Sequence, residues 1–420
     1  MLILNTAQND NLLDQGQLQV NVTNAQNNFP ISDAAVTITS DDDPQAPSEQ
    51  LLTNSSGQTE NIDLHTPPME YSQEPDSPRP YSEYTVRVTA DGFEPVEVTG
   101  TEILPGTIAI QPIRMIPLAQ SQGPQENIFI PDHTLYGEYP PKIPEDEVKP
   151  TGQSGEIVLS RVVVPETIVV HDGLPSNTSA PNYYVSYRSY IKNVASCEIY
   201  ATWPESTLVA NILAIMSFTL NRVYTEWYRN QGYDFTITSS TAYDQKWVYG
   251  RNIFEEISVL VDDIFNQYLS RPDVKQPLFT QYCDGKRVTC PNWLSQWGSK
   301  YLGDQGYSSI QILRNYYGSN IYINSAEQIS GIPSSWPGYN LTIGSSGDKV
   351  RQLQEQLNTI ASVYTAIPTI NVDGIFGEQT QRALQEFQSI FGLRPTGEAD
   401  FATWYRVSQI YVAIARLSEL

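Results

Sequence analysis

Positive charge is scarce in this chain. Its 420 residues hold 24 lysines and arginines against 47 aspartates and glutamates, a formal net charge of −23. The imbalance sits at the front, where residues 1–150 carry 23 acidic and 5 basic side chains. No basic stripe or cluster occurs, which argues against a nucleic acid or an anionic membrane surface as partner. Histidine and cysteine are equally rare, with three of each. His65, His133 and His171 lie far apart in sequence, so no metal and no cofactor is expected at the working site. Cys283 and Cys290 form a C-x6-C pair with three open states: free thiols, a disulfide, or two zinc ligands that still need partners. Cys197 is the odd thiol. Long apolar runs are missing too. The most hydrophobic stretch, 208–224, is broken by Asn211, Asn221 and Arg222 and reads as a buried helix, so no membrane span is expected. The first ten residues have no basic region and only a short apolar run, which gives the expectation of synthesis without a secretory signal.

What is present is core material. Hydrophobic residues make up 40% and charged residues 17%, a folded composition, and the length predicts two to four domains. Tyrosine is abundant at 26 copies, a residue that stacks on sugars while keeping a polar tip. Within residues 1–118, the chain from about Gln17 alternates with period two, as in Leu18-Gln-Val-Asn-Val22, Ala35-Val-Thr-Ile-Thr39 and Tyr84-Thr-Val-Arg-Val88, with turns at Asp91-Gly92 and Pro105-Gly106. This predicts an antiparallel β-sandwich. Residues 119–162 are rich in Pro, Gln and Glu and lack a sustained period, the mark of a semi-extended linker, either a plain spacer or an activation segment.

Residues 163–335 predict an α+β domain. One helix runs from a Ser206 cap to about 229; a second, about 252–269, has Phe254, Ile257, Leu260, Val261 and Ile264 on one side. Its acids Glu255, Glu256, Asp262 and Asp263 are expected in solvent. Residues 338–420 predict three short helices, 349–357, 378–391 and 401 onward. Val350-x-x-Leu353-Gln354 and Thr380-x-x-Ala383-Leu384-x-x-Phe387-Gln388 give a hint of duplication. The fold class is thus multidomain α+β: N-terminal β-sandwich, central α+β catalytic domain, C-terminal three-helix bundle.

Four resemblances give this organisation a function. Phe29-Pro-Ile-Ser-Asp-Ala-Ala-Val36 with Asp91-Gly-Phe-Glu-Pro95 resembles the carboxypeptidase-regulatory, transthyretin-like domain, a mostly non-catalytic family. The C-terminal repeats, with Asp373-Gly374, Phe376-Gly377, Thr396-Gly397 and Thr403-Trp404, are similar to the peptidoglycan-binding-domain family. Residues 190–317 resemble the stage II sporulation protein D family of lytic transglycosylases. The likeness lies in Ala195-Ser-Cys-Glu198 with Trp203-Pro204, the polar loop Thr238-Ser-Ser-Thr-Ala-Tyr-Asp244-Gln245, and Leu294-Ser-Gln-Trp-Gly298 leading to Tyr317-Gly318. The whole order resembles the clostridial spore cortex-lytic enzymes.

That resemblance implies a proenzyme stored in the spore, in the cortex or coat region, with peptidoglycan of the spore cortex as substrate. It also implies a prodomain in the sandwich, and a cut in the linker made by a subtilisin-like protease. It maps the catalytic glutamate onto Glu198, and sugar-binding roles fall on Ser239, Ser240, Thr241, Asp244, Gln245, Ser295 and Gln296. The chemistry fits a single carboxyl. Hydrolytic glycosidases usually need two carboxyls at a set separation; a lytic transglycosylase can use one, first as acid and then as base. Two departures stand out. Met216 occupies the position of a family arginine, which leaves Arg222 or Lys246 to supply positive charge. Cys290-Pro-Asn-Trp293 replaces a Gly-His-Gly run. The open alternatives are a non-catalytic wall-binding or enzyme-enhancing protein, and hydrolysis in place of anhydro-ring formation.

Overall fold

The computed structural model describes residues 14–43, 45–120, 126–137, 140–149, 159–331 and 336–418. The expected signal-free N-terminus lies outside the described residues, as do 121–125, 138–139 and 150–158 of the stretch expected to carry an activating cut.

Eight strands build the N-terminal sandwich: β1 (Asp14–Asn24), β2 (Ala35–Ser40), β3 (Glu49–Leu52), β4 (Ile62–Thr66), β5 (Ser82–Thr89), β6 (Val96–Ile103), β7 (Ile108–Met115) and β8 (Glu126–Phe129). Their alternation sends Leu18, Val20, Val22, Val86, Val88, Val96 and Val98 inward between the two sheets, as the period-two pattern requires. One sheet runs β3-β2-β5-β6-β8, and the other has β7-β1-β4, where β1 and β7 run parallel, so the sandwich is mixed and not antiparallel throughout as expected. β8 comes from the Pro-rich stretch and adds parallel to β6. It leaves the sheet past Gly100, where a Cβ would lie 2.5 Å from the Ile130 carbonyl oxygen; only glycine lets the chain cross there.

The central region holds β9 (Val163–Val164), β10 (Thr167–His171), β11 (Asn182–Ser186), α1 (Tyr187–Glu198), α2 (Glu205–Tyr224), β12 (Ile237–Thr238), β13 (Ile253–Phe254), α3 (Glu255–Ile264), β14 (Gln267–Ser270), β15 (Tyr282–Cys283), β16 (Leu294–Ser295), α4 (Gln296–Asp304), α5 (Ser309–Tyr317), β17 (Tyr322–Ser325) and β18 (Gln328–Ile329). α2 is the core helix. It is long and apolar enough to cross a bilayer, and it is buried among α1, α3, α4 and α5. Its N-cap is Pro204 and not Ser206, and it stops at Tyr224, where Thr225 and then Glu226, at φ +47°, turn the chain.

α3 is shorter than its apolar pattern predicts, and its acids are not simply solvated. Asp262 is fully buried and takes Lys192 Nζ at 2.6 Å and Arg188 Nη1 at 3.3 Å. Glu256 lies under the sandwich, accepting the Ile108 N–H at 3.2 Å. Burial pushes its carboxyl up to about 7 from an ordinary 4.5, so the folded state holds the proton more tightly than the unfolded chain. The stability tied to this proton is complete below about pH 4.5 and lost as pH rises through about 7. Glu256→Gln is therefore expected to be more stable than the parent at alkaline pH, by roughly 1–3 kcal/mol, with the gap closing in acid. Thermal unfolding at the two extremes checks this.

The sandwich and the central region share a sheet. β13 pairs antiparallel with β7, Ile253 opposite Ile110 and Phe254 opposite Ala109. Beside that seam, buried Arg251 and Glu102 form a bidentate pair, and Asn252 bonds both the Glu102 N–H and its carbonyl.

The C-terminal helices are α6 (Asp348–Ala361), α7 (Glu378–Ile390) and α8 (Phe401–Ser418). Two glutamine side chains organise two similar half-units. Gln354 Nε2 donates to Asp373 Oδ1, the Ile375 carbonyl and Thr380 Oγ1, while its Oε1 accepts the Gly374 N–H. Gln388 repeats this with Thr396 Oγ1, the Glu398 carbonyl, Thr403 Oγ1 and the Gly397 N–H. The sequence repeat is thus a repeat of hydrogen-bonded loops. α8 packs on α3, and Arg188 Nη2 reaches the Tyr405 carbonyl and Gln409 Oε1.

Candidate functional site

α1 starts at a Ser186 cap, whose hydroxyl accepts the Ser189 N–H, and ends at Glu198. A carboxyl at a helix C-terminus meets the negative end of the helix dipole, which favours its neutral form. Glu198 is also completely buried, and burial is the main cause that pushes its carboxyl above the ordinary 4.5. Opposing this are the Lys142 ammonium, a hydrogen bond with the Tyr282 side chain, and the Lys246 N–H, which donates to Oε1 at 2.7 Å. The surroundings are held firmly. Asn193 bonds both the N–H and the carbonyl of Val248, stapling the 246–249 loop to α1, and Gln296 Nε2 donates to the Glu198 carbonyl at 3.0 Å.

Arg222, one of two cations considered for this site, points elsewhere. It binds Asp244 Oδ1 through Nε at 2.7 Å and Glu145 through Nη1 and Nη2 at 3.0 and 2.6 Å. Met216 is core. The cations near the glutamate are Lys246 and, unforeseen, Lys142.

The other expected site residues divide in two. Asp244 and Gln245 have their polar atoms committed within the protein. The second Asp244 oxygen takes the Tyr228 hydroxyl, the Thr238 N–H and the Thr238 hydroxyl, and Gln245 bridges Tyr190, Thr219 and the Ile215 carbonyl. Gln296 is buried at the Glu198 carbonyl, and Ser295 caps α4 through the Gly298 N–H. Ser239 and Ser240 are half-buried, with Ser239 donating to Asp172 Oδ1 at 2.8 Å; the Thr241 carbonyl accepts Lys142 Nζ at 3.1 Å.

Lys142 arrives on the stretch expected to be a semi-extended linker, either spacer or activation segment. Residues 131–149, as far as described, lie across the glutamate side of the central region as a strap. Thr134 bonds the Cys197 carbonyl through both N–H and hydroxyl, and the His133 ring packs at a tilt on Tyr200 with ring centres 4.5 Å apart. Lys142 is buried over the Tyr282 ring at 4.8 Å, its ammonium also donating to the Asp244 carbonyl. Beyond it, Glu145 joins Arg222, Lys149 joins Glu145 at 2.6 Å, and Glu147 joins Arg271. Burial works against charge on Glu145, but the Arg222 pair holds its carboxyl below the usual range.

Three aromatic rings follow Glu198. Tyr200, Trp203 and Trp297 have centroids 5.0–6.1 Å apart, and the sandwich covers them, with the Ser72 carbonyl accepting Trp203 Nε1–H at 2.9 Å. Beside them Cys283 and Cys290 form a disulfide, which settles the three-way choice for this pair; Cys197 is a buried free thiol.

Comparison with known proteins bears on one end of the chain. Residues 346–407 match the family described as "Putative peptidoglycan binding domain". A zinc D-Ala-D-Ala carboxypeptidase of Streptomyces albus G is 40% identical over 76 residues, which are 18% of this chain and 28% of that protein. The chain therefore spans little more than a quarter of the length of that relative. Among solved structures, the minor pilin GBS52 of Streptococcus agalactiae aligns with 27% of this chain and 50% of its own at 13% identity and a TM-score of 0.19. Catechol 1,2-dioxygenase of Acinetobacter sp. ADP1 aligns with 29% and 60% at 13% and 0.19. Scores this low define no common fold.

Proposed function

Because residues 346–407 form a peptidoglycan-binding domain, we propose that the chain is the precursor of a peptidoglycan lytic transglycosylase acting on spore cortex during germination. The observation that carries this reading is Glu198, a carboxyl at a helix end, kept toward its neutral form by burial. Protonated Glu198 donates to the glycosidic oxygen as the bond from C1 of muramic acid breaks. The resulting carboxylate takes the proton of the 6-hydroxyl, whose oxygen closes on C1 to leave a 1,6-anhydro end. One group thus acts as acid and base in turn.

Inhibition before germination belongs to the strap. It fills the space over Glu198, and its Lys142 ammonium works against the shift toward the neutral acid that burial gives the carboxyl. A subtilisin-like protease cutting within 119–162 frees the strap at one end. The sandwich need not leave, since its sheet continues into β13. Storage in the spore completes the proposal.

The test is mass spectrometry of fragments released from purified spore cortex by the full-length protein, before and after limited subtilisin treatment. Anhydro-muramic ends from the cut protein alone are expected. Borohydride-reducible ends would replace transglycosylation by hydrolysis. No fragments from cut, folded, wall-bound protein would leave a binding or enhancing role in place of catalysis.

A further inference from the structure

The 246–249 loop, whose Lys246 N–H meets Glu198, also lines a cavity of about 500 Å³, within the usual range for ligand sites. Tyr183 and Tyr249 stack along it with centroids 4.8 Å apart and planes at 21°, backed by Trp247 at 5.2 Å from Tyr183. Asp172, carrying the Ser239 hydroxyl, and Lys246 supply polar groups to the same space. Both are partly exposed, and neither belongs to an ion pair among the described residues. Lys246 joins the cavity to the glutamate, because its N–H is the group on Glu198 Oε1. The opposite wall is β8, whose Glu126 accepts the Tyr249 hydroxyl at 2.9 Å and whose Phe129 is 71% exposed.

We propose that this cavity is a sugar subsite that holds an N-acetylated amino sugar of the glycan strand, open while the strap still covers Glu198. The inference rests on the glycan-cleaving reading above and extends it. Tyrosine faces take the C–H face of a pyranose ring, and a neighbouring carboxylate and ammonium take its hydroxyl and acetamido groups. Stacked aromatic rings with a carboxylate and an ammonium beside them suit a neutral polar ring better than an ion of either sign. The precursor can therefore grip a strand before it can cut it, and the strand is already threaded toward Glu198 when the strap is released.

The test uses the intact full-length chain carrying Glu198→Gln, titrated with tri-N-acetylchitotriose by calorimetry. Saturable binding is expected. Adding Tyr183→Ala or Asp172→Asn should weaken it roughly three- to tenfold, the worth of one aromatic or polar contact, whereas Tyr183→Phe should bind as the parent does. The phenylalanine keeps the stacking face, so it separates a lost contact from a disturbed fold. Absence of binding, or binding unchanged by Tyr183→Ala and Asp172→Asn, overturns the subsite; the second result would place the sugar on the C-terminal domain. Chemistry at Glu198 does not enter this titration. Cortex cleavage without chitotriose binding would remove the subsite alone, and binding without cleavage would remove the catalytic reading alone.

Discussion

Glu198→Gln in the protease-cut protein is expected to lower the release of glycan fragments by about 10²–10⁴, the usual worth of a positioned acid–base group, with wall binding unchanged. Glutamine has nearly the same shape, and its carbonyl oxygen can still accept the Lys246 N–H that Oε1 accepts now. What it lacks is a proton to give and a charge with which to recover one. The wild-type rate should fall as pH rises through the raised range of the Glu198 carboxyl, because the protonated form begins the reaction. Release of fragments by the variant at an undiminished rate would sink the assignment. The peptidoglycan-binding domain at 346–407 provides the control, since binding to cortex that survives the substitution shows that the loss is chemical.

The elements that depend on local pattern were legible in the sequence. Period-two alternation located the sandwich strands, and the apolar run at 208–224 became the buried α2. The paired Gln354 and Gln388 motifs became matching loop clamps because a short repeat carries its hydrogen-bond partners with it. Elements completed by distant residues were hidden. The pairing of β13 with β7 joins Ile253 to Ile110 across more than a hundred positions, and two residues are too short a strand to show a period. α3 reads as amphipathic with a wet acidic face only until Lys192 and Arg188 are brought to Asp262 by α1. At the site, the apolar surroundings of Glu198 mark it for burial, but the helix that it ends, α1, was not among the expected elements. Nor was the strap, because proline-rich chain without periodicity reads as spacer. One trace of it was available: Lys142 and Lys149 are the only lysines in the acidic first 150 residues, and both are buried. A cation retained in such a segment needs carboxylates or carbonyls to receive it.

Removing the anchor of the strap should therefore waken the uncut protein. Glu145→Ala deletes two charge-assisted hydrogen bonds to buried Arg222 and the pair with Lys149, while Asp244 remains on the guanidinium. A loss of about 2 kcal/mol in strap docking is expected, which multiplies the open fraction, and with it cortex cleavage without protease, by roughly thirtyfold. Glu147→Ala is the matched comparison. It also breaks an arginine pair on the strap, but the Glu147 side chain is 33% exposed and Arg271 is 23% exposed, against 14% and 1% for Glu145 and Arg222. A solvated pair is worth at most about 1 kcal/mol, so fewer than about fivefold is expected there. The difference between the two variants is the informative quantity, since both change one acid on one strap and only burial separates them. Equal effects would mean that charge on the segment, and not its docking, restrains the site. No effect from Glu145→Ala, with the cut protein active, would shift the restraint to the Thr134 and His133 contacts beside Glu198, which this substitution leaves in place.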